Sequence, residues 1–319
     1  MDRISSPYRA SFSTSNAVVM ALTSLAFKAG RLSSLAYKQD IDEASLEESK
    51  AYLRSVGVKL TPSQARGLGL GENVKSAPIA KPTTELFKAV NRQGPLGKEF
   101  VERFAKILWG EDVPVRLSRR VKGFDYPIPP HAKVDGLLDK TFAFLAQADG
   151  KVSPLLLSGL CLYMVMAIMP FSEHTLLLAI LFAKGELISF RREFVGVNLT
   201  KHLLENEQTL SEAYAKANEK SDMAPYLIAY MGVVEEAIEE AIRRGVSKRG
   251  GLTPMAKRMV ELMEDGRYYS AAELLGILGL KSRLGLQKNY LQPALKARLI
   301  EMSNPLSPTD RNQRYRLKK

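Results

Sequence analysis

Residues 164–179 read Met-Val-Met-Ala-Ile-Met-Pro-Phe-Ser-Glu-His-Thr-Leu-Leu-Leu-Ala, and the fold turns on them. An apolar run enters from Pro154 and stops at Pro170, which removes a backbone donor. A second apolar run starts at Thr175. Between them stand two side chains with chemistry, Glu173 and His174. The pattern predicts two helices, 154–168 and 175–186, joined by a short loop. The first reads as a buried helix, and Leu176, Leu177, Leu178, Ile180 and Leu181 make the opening of the second strongly apolar. The 14 residues of 155–168 fall short of the ~20 needed to span a bilayer.

Working outward, the spacing predicts helices over 13–38 and 42–56, a short one from Thr61-Pro62-Ser63, and further ones over 84–90 and 97–108. The Gly- and Pro-rich stretch 67–82 reads as a loop. Residues 113–130 differ. Val113, Val115 and Leu117 alternate with other residues, Lys122-Gly123 supplies a turn, and Tyr126-Pro-Ile-Pro-Pro is extended. That is a β-hairpin pattern. Helices follow over 134–148, 201–218 and 223–244, then a basic linker over 246–253. The apolar stretch 17–27 follows Arg3 and Arg9 as a leader would. It lacks a small-residue cleavage site and meets Lys28 and Arg31, so it reads as a buried helix.

The C-terminal part has its own order of elements: helix, helix, helix, strand, loop, strand, as in a winged helix-turn-helix. Met255, Met259, Leu262 and Met263 line one face of the first helix. Ser270 precedes a second over 271–277, and Lys281-Ser282-Arg283 leads into a third that reaches Leu299. Of the formal net charge of +12, a local +9 falls after residue 245, with 15 Lys and Arg against 6 Asp and Glu. Such concentration suits a polyanionic partner. Lys281, Arg283, Lys288 and Lys296 on the third helix, with Arg311, Arg314 and Arg316 in the wing, are the candidate phosphate contacts. Gln287 and Asn289 are the candidate base readers. A protein-docking role for the same module stands beside this one.

One cysteine, Cys161, excludes a disulfide within the chain. His131, His174 and His202 are too far apart in sequence to form a recognisable zinc motif. The expectations are a mainly α protein without membrane spans, cytoplasmic, with an N-terminal helical region (1–83), a helical core (84–245) and a winged-helix domain (254–319).

The tail, Asn289-Tyr-Leu-Gln-Pro-Ala-Leu-Lys-Ala-Arg-Leu-Ile-Glu-Met and Gln313-Arg-Tyr-Arg-Leu, closely resembles the winged-helix tail of many Fic proteins. The central stretch 164–179 resembles the Fic signature, His-Pro-Phe-x-Asp/Glu-Gly-Asn-Gly/Lys-Arg. Fic enzymes move AMP or related groups from a nucleotide onto protein hydroxyls. Lys184-Gly-Glu-Leu-Ile-Ser-Phe and Asp222-Met-Ala-Pro-Tyr-Leu-Ile-Ala-Tyr resemble later family segments. The hairpin resembles the target-clamping flap, which Val113, Val115, Tyr126 and Pro129 would form.

Aligned on that signature, Pro170 and Phe171 are kept and most of the chemistry is gone. Met169 replaces the general base, and a thioether moves no proton. Glu173 keeps the capacity to hold a metal. His174, Thr175 and Leu176 replace the small residues whose backbone would cradle phosphate. Leu177 and Ile180 replace two arginines. His174 stands five positions past the base and reads as a loop or surface histidine. Met169, Leu176 and Leu177 should partly fill the space below the hairpin, where an apolar lining costs a polyphosphate several kcal/mol. The family's inhibitory motif, Ser/Thr-x-x-x-Glu-Gly/Asn, has its nearest match in Ala44-Ser-Leu-Glu-Glu-Ser. That segment lacks the Ser or Thr and the Gly or Asn.

The resemblance thus implies a Fic-type helical domain with a hairpin flap and a winged-helix tail, without catalysis and without a cofactor. It would contact DNA or a protein partner through the tail, or a protein at the flap. The alternative is a divergent transferase that uses Glu173 with ATP and magnesium. A further possibility is a scaffold in which the tail completes a homodimer.

Overall fold

A computed structural model describes residues 12–34, 40–110, 128–249, 254–264, 266–297, 299–305, 307, 310 and 312–318, with the side chains of 245–249 excepted. They fall into two compact units, one running to Ala241 and the other starting at Ile242.

The first unit is built of helices α1 (Asn16–Ser34), α2 (Ile41–Ser55), α3 (Pro62–Gly69), α4 (Ala80–Gln93), α5 (Glu99–Trp109), α6 (Val134–Ala148), α7 (Pro154–Ile168), α8 (Thr175–Phe190), α9 (Leu199–Glu205), α10 (Glu207–Lys220) and most of α11 (Ala224–Arg249). Local chemistry sets their starts. Asp40 accepts from the backbone N–H groups of Asp42 and Glu43. Thr61 and Gln64 form a capping box with Pro62 at the first turn, and Ser153 caps α7 ahead of Pro154.

Helices α7 and α8 are the centre of this unit. Nearly every residue of both is buried, as two helices without a polar face require. Gly159 lets α11 approach α7. A Cβ there would lie 2.8 Å from the Tyr230 ring.

An ion pair crosses this core. Lys184 of α8 is 0% exposed and Glu48 of α2 is 1% exposed, with Nζ and Oε2 3.2 Å apart. Lys184 Nζ also donates to the carbonyls of Val195 and Val197, and Thr200 donates to Glu48 from both N–H and Oγ1. Two charges out of water are costly unless so surrounded. The pair fixes α2 and α9 against α8.

Several expectations need correction. The boundary expected between residues 83 and 84 falls inside α4. The stretch read as a loop, 67–82, holds the end of α3 and the start of α4. The helix expected over 201–218 is two helices that meet at Asn206, whose side chain donates to the His202 carbonyl. Helix α11 continues to Arg249, through the first part of the expected linker. The hairpin residues Val113, Val115 and Tyr126 lie outside the described residues, and Pro129 is buried.

The second unit contains α12 (Pro254–Leu262), β1 (Tyr269–Ser270), α13 (Ala271–Leu278), α14 (Arg283–Leu286), a π turn (Gln287–Leu291), α15 (Gln292–Lys296), β2 (Ile300–Met302) and β3 (Arg314–Leu317). The three strands form an antiparallel sheet in the order β1-β3-β2. Ala256, Met259, Tyr269, Leu274, Leu286, Leu291, Ala294 and Ile300 supply the core. The arrangement is compatible with a winged helix-turn-helix. Its third helix stops at Lys296 rather than reaching Leu299, and it contains the unexpected π turn. There the Gln292 N–H bonds to the Gln287 carbonyl. Pro293 has no N–H to offer the turn before it, which favours the wider turn.

Candidate functional site

The junction of α7 and α8 carries unusual backbone. Met169 ends α7 at φ 50° and His174 opens α8 at φ 58°, both left-handed. Non-glycine residues seldom adopt that region, and a pair five residues apart marks a turn held by its surroundings. Thr175 ties the turn. Its Oγ1 donates to the Phe171 carbonyl at 3.0 Å and accepts from the Phe171 N–H at 3.2 Å. Phe171 stacks on Phe104 and contacts the Trp109 ring, at centroid distances of 5.7 and 5.1 Å.

The aligned side chains then separate. Met169, Leu177 and Ile180 are 3%, 0% and 0% exposed and belong to the core. Leu176 lines a cavity beside the junction, and most of the hairpin below which the three were expected lies outside the described residues. Glu173 is exposed, so the one acid kept from the signature faces solvent.

His174 corrects the reading of a plain surface histidine. It is half-buried, and its Nδ1 shares a hydrogen bond of 2.6 Å with the Tyr52 hydroxyl. The Tyr52 and Trp109 rings lie 6.0 and 5.9 Å from the imidazole. Burial lowers its pKa against the opposing pull of Glu173, so the ring is neutral at pH 7. Burial, and next the charge of Glu173, raises the pKa of Tyr52 and keeps it a phenol.

These groups open onto a cavity of about 500 Å³ lined by Tyr52, Ser55, Val56, Glu173, His174, Leu176, Leu204 and Glu207. A smaller chamber of about 150 Å³ shares Leu176, Leu204 and Glu207 with it. Leu162, Met166, Leu203, Leu210, Tyr214 and Tyr226 line most of the rest. Sequence reasoning missed Tyr52, Trp109, Leu204 and Glu207. Tyr52 lies 122 residues from its partner, and no local pattern signals the pairing. No three His, Cys, Asp or Glu side chains come together as a metal set among the described residues.

In the second unit, Lys281, Arg283, Gln287, Lys288, Asn289, Lys296 and Arg314 are all exposed. The π turn leaves three consecutive side chains, Gln287, Lys288 and Asn289, facing outward. Arg316 is different from the others. It opposes Glu301 across the β2–β3 pair, holds its carboxylate at 2.5 Å and lies over the Tyr268 ring. Its guanidinium is thus already paired within the sheet. Arg311 lies outside the described residues.

The architecture, a helical unit with the α7–loop–α8 junction and a C-terminal helix–sheet module, is that of Fic-fold proteins. Residues 254–318 match the model of the family described as filamentation induced by cAMP protein Fic-like, C-terminal domain. A crystal structure of a Fic family protein from Desulfovibrio desulfuricans G20 superimposes with a TM-score of 0.60 at 20% identity. The match covers 97% of this chain and 98% of that one. No curated protein matches significantly. The shared fold and the match of the tail are what this chain has in common with Fic family proteins. Among the described residues no helix is long and apolar enough to cross a membrane.

Proposed function

We propose that this protein is a Fic-fold binding or regulatory protein without transfer chemistry, whose C-terminal module contacts DNA. The observation that carries the first half is the burial of Met169, Leu177 and Ile180. Positions that would present a base and two cations instead fill the core. Labelled ATP incubated with the protein and candidate targets is expected to leave no label on any hydroxyl. ATP with magnesium is expected to bind no tighter than about millimolar, near −4 kcal/mol. Met169→His alone restores nothing, because the phosphate cradle is still missing.

The DNA reading rests on the exposed basic and polar face of helices α14 to α15 and on Arg314. Binding that falls steeply with salt, with a slope of roughly −0.9 per phosphate contacted, supports it. Salt-independent binding, or none, turns the module into a docking surface for protein.

A second reading has one observation in its favour. His174 is held in place by Tyr52 beside Glu173, at a cavity large enough for a ligand. A divergent transferase built on these groups would label targets, and Glu173→Ala would abolish the label.

A further inference from the structure

We propose that the cavity at the α7–α8 junction binds a small organic amine, with its ammonium at the mouth and its apolar body in the inner chamber. Two features of the cavity specify that class. At the mouth, Glu173 and Glu207 are both exposed, and neither makes an ion pair or a hydrogen bond among the described residues. Among the described residues no Lys or Arg lines either chamber. The described part of the wall is thus negative where a nucleotide would need it positive.

The inner chamber is mainly apolar, with Ser211 and the shared Glu207 as its polar lining apart from the tyrosines. Leu162, Met166, Leu203 and Leu210 face Tyr214 and Tyr226 there, and Leu176 and Leu204 form the passage between chambers. An apolar hollow behind an acidic mouth fits an amphipathic cation. A metal ion would leave the inner chamber unused, and the carboxylates do not converge with a third ligand among the described residues. A fatty acid or a polyphosphate would bring its charge against two carboxylates. His174, neutral and held by Tyr52, forms a polar wall that does not repel an ammonium. The inference goes beyond the non-catalytic reading and does not depend on it, because amine binding neither requires nor excludes transfer.

The chain's one tryptophan, Trp109, lies 5.9 Å from the His174 ring and reports on this site by fluorescence. The full chain is titrated with primary alkylamines from butyl to octyl, and with the alcohol and carboxylate of each length. Amines are expected to change the emission saturably. Their affinity should rise by up to about fourfold per methylene until the inner chamber is full. The double variant Glu173→Gln, Glu207→Gln should lose at least tenfold in amine affinity while keeping its melting temperature, since both side chains are exposed. Two results would overturn the proposal: alcohols or carboxylates binding as tightly as amines, or the double variant binding amines like the parent.

Discussion

The helical unit and the C-terminal unit treat their signature residues in opposite ways. At the α7–α8 junction, three of the positions aligned with the Fic signature are buried. Met169, Leu177 and Ile180 are packed away, and the exposed groups nearby are acidic. In the C-terminal unit most of the candidate contact residues stand in solvent. Arg283, Gln287, Lys288 and Asn289 are all exposed, and even Leu284 is 73% exposed. A core position answers to packing and a face answers to a partner. The contrast ties the first sequence to packing and leaves the second facing solvent.

The most severe way to break that contrast is to cut the buried pair. Lys184→Ala or Glu48→Ala leaves one charge unmatched in the core and is expected to cost about 3–5 kcal/mol in chemical denaturation. Replacing both with apolar residues, Lys184→Met with Glu48→Leu, should recover most of the loss. Equal destabilisation by the double variant would show that the pair organises the core beyond its charges.

Glu186 gives the next effect. Burial, and next the charge of Asp149, raises its pKa from 4.5 to about 7. Below pH 4.5 the carboxyl is protonated in both folded and unfolded chains, and the folded state carries no penalty. Between pH 4.5 and 7 the unfolded chain sheds the proton and the folded one keeps it, so stability falls as pH rises, then levels off. Glu186→Gln should remove a loss on the order of 2 kcal/mol at pH 8 and change nothing at pH 4. Melting curves at the two pH values decide it.

On the exposed face, losses should appear in binding and not in folding. Gln287→Ala is expected to cost about 1–3 kcal/mol for a preferred DNA site and to relax the preference at one base. Lys288→Glu with Arg314→Glu should weaken all sequences alike and flatten the salt slope. A gel-shift series on full-length variants separates the two behaviours. The smallest change is local. Ser270→Ala removes the capping box with Glu273 at the start of α13 and should cost about 1 kcal/mol.

Helix bounds set by local chemistry were legible in advance. The spans 134–148 and 154–168 coincide with α6 and α7, because Ser153, Pro154 and the closing Pro170 act on neighbouring backbone. Bounds set by competition were not. The run past Arg244 contains Gly245, yet the helix continues to Arg249, since one glycine costs only about 1 kcal/mol. Strand β1 has two residues, and it exists through its pairing with β3, more than forty residues away.

What the sequence by itself determined is the place of most helices, the apolar character of α7 and of the start of α8, and the basic C-terminal segment. These follow from residue type and spacing, whereas the missing base and cations are what the resemblance to the Fic signature implies. Tertiary structure decided the rest. It turned Met169 and Leu177 inward, brought Tyr52 of α2 and Trp109 of α5 to His174, joined Lys184 to Glu48, and spent Arg316 on Glu301. A side chain's partners depend on which distant faces meet. Residue type sets only what it can do once they have met.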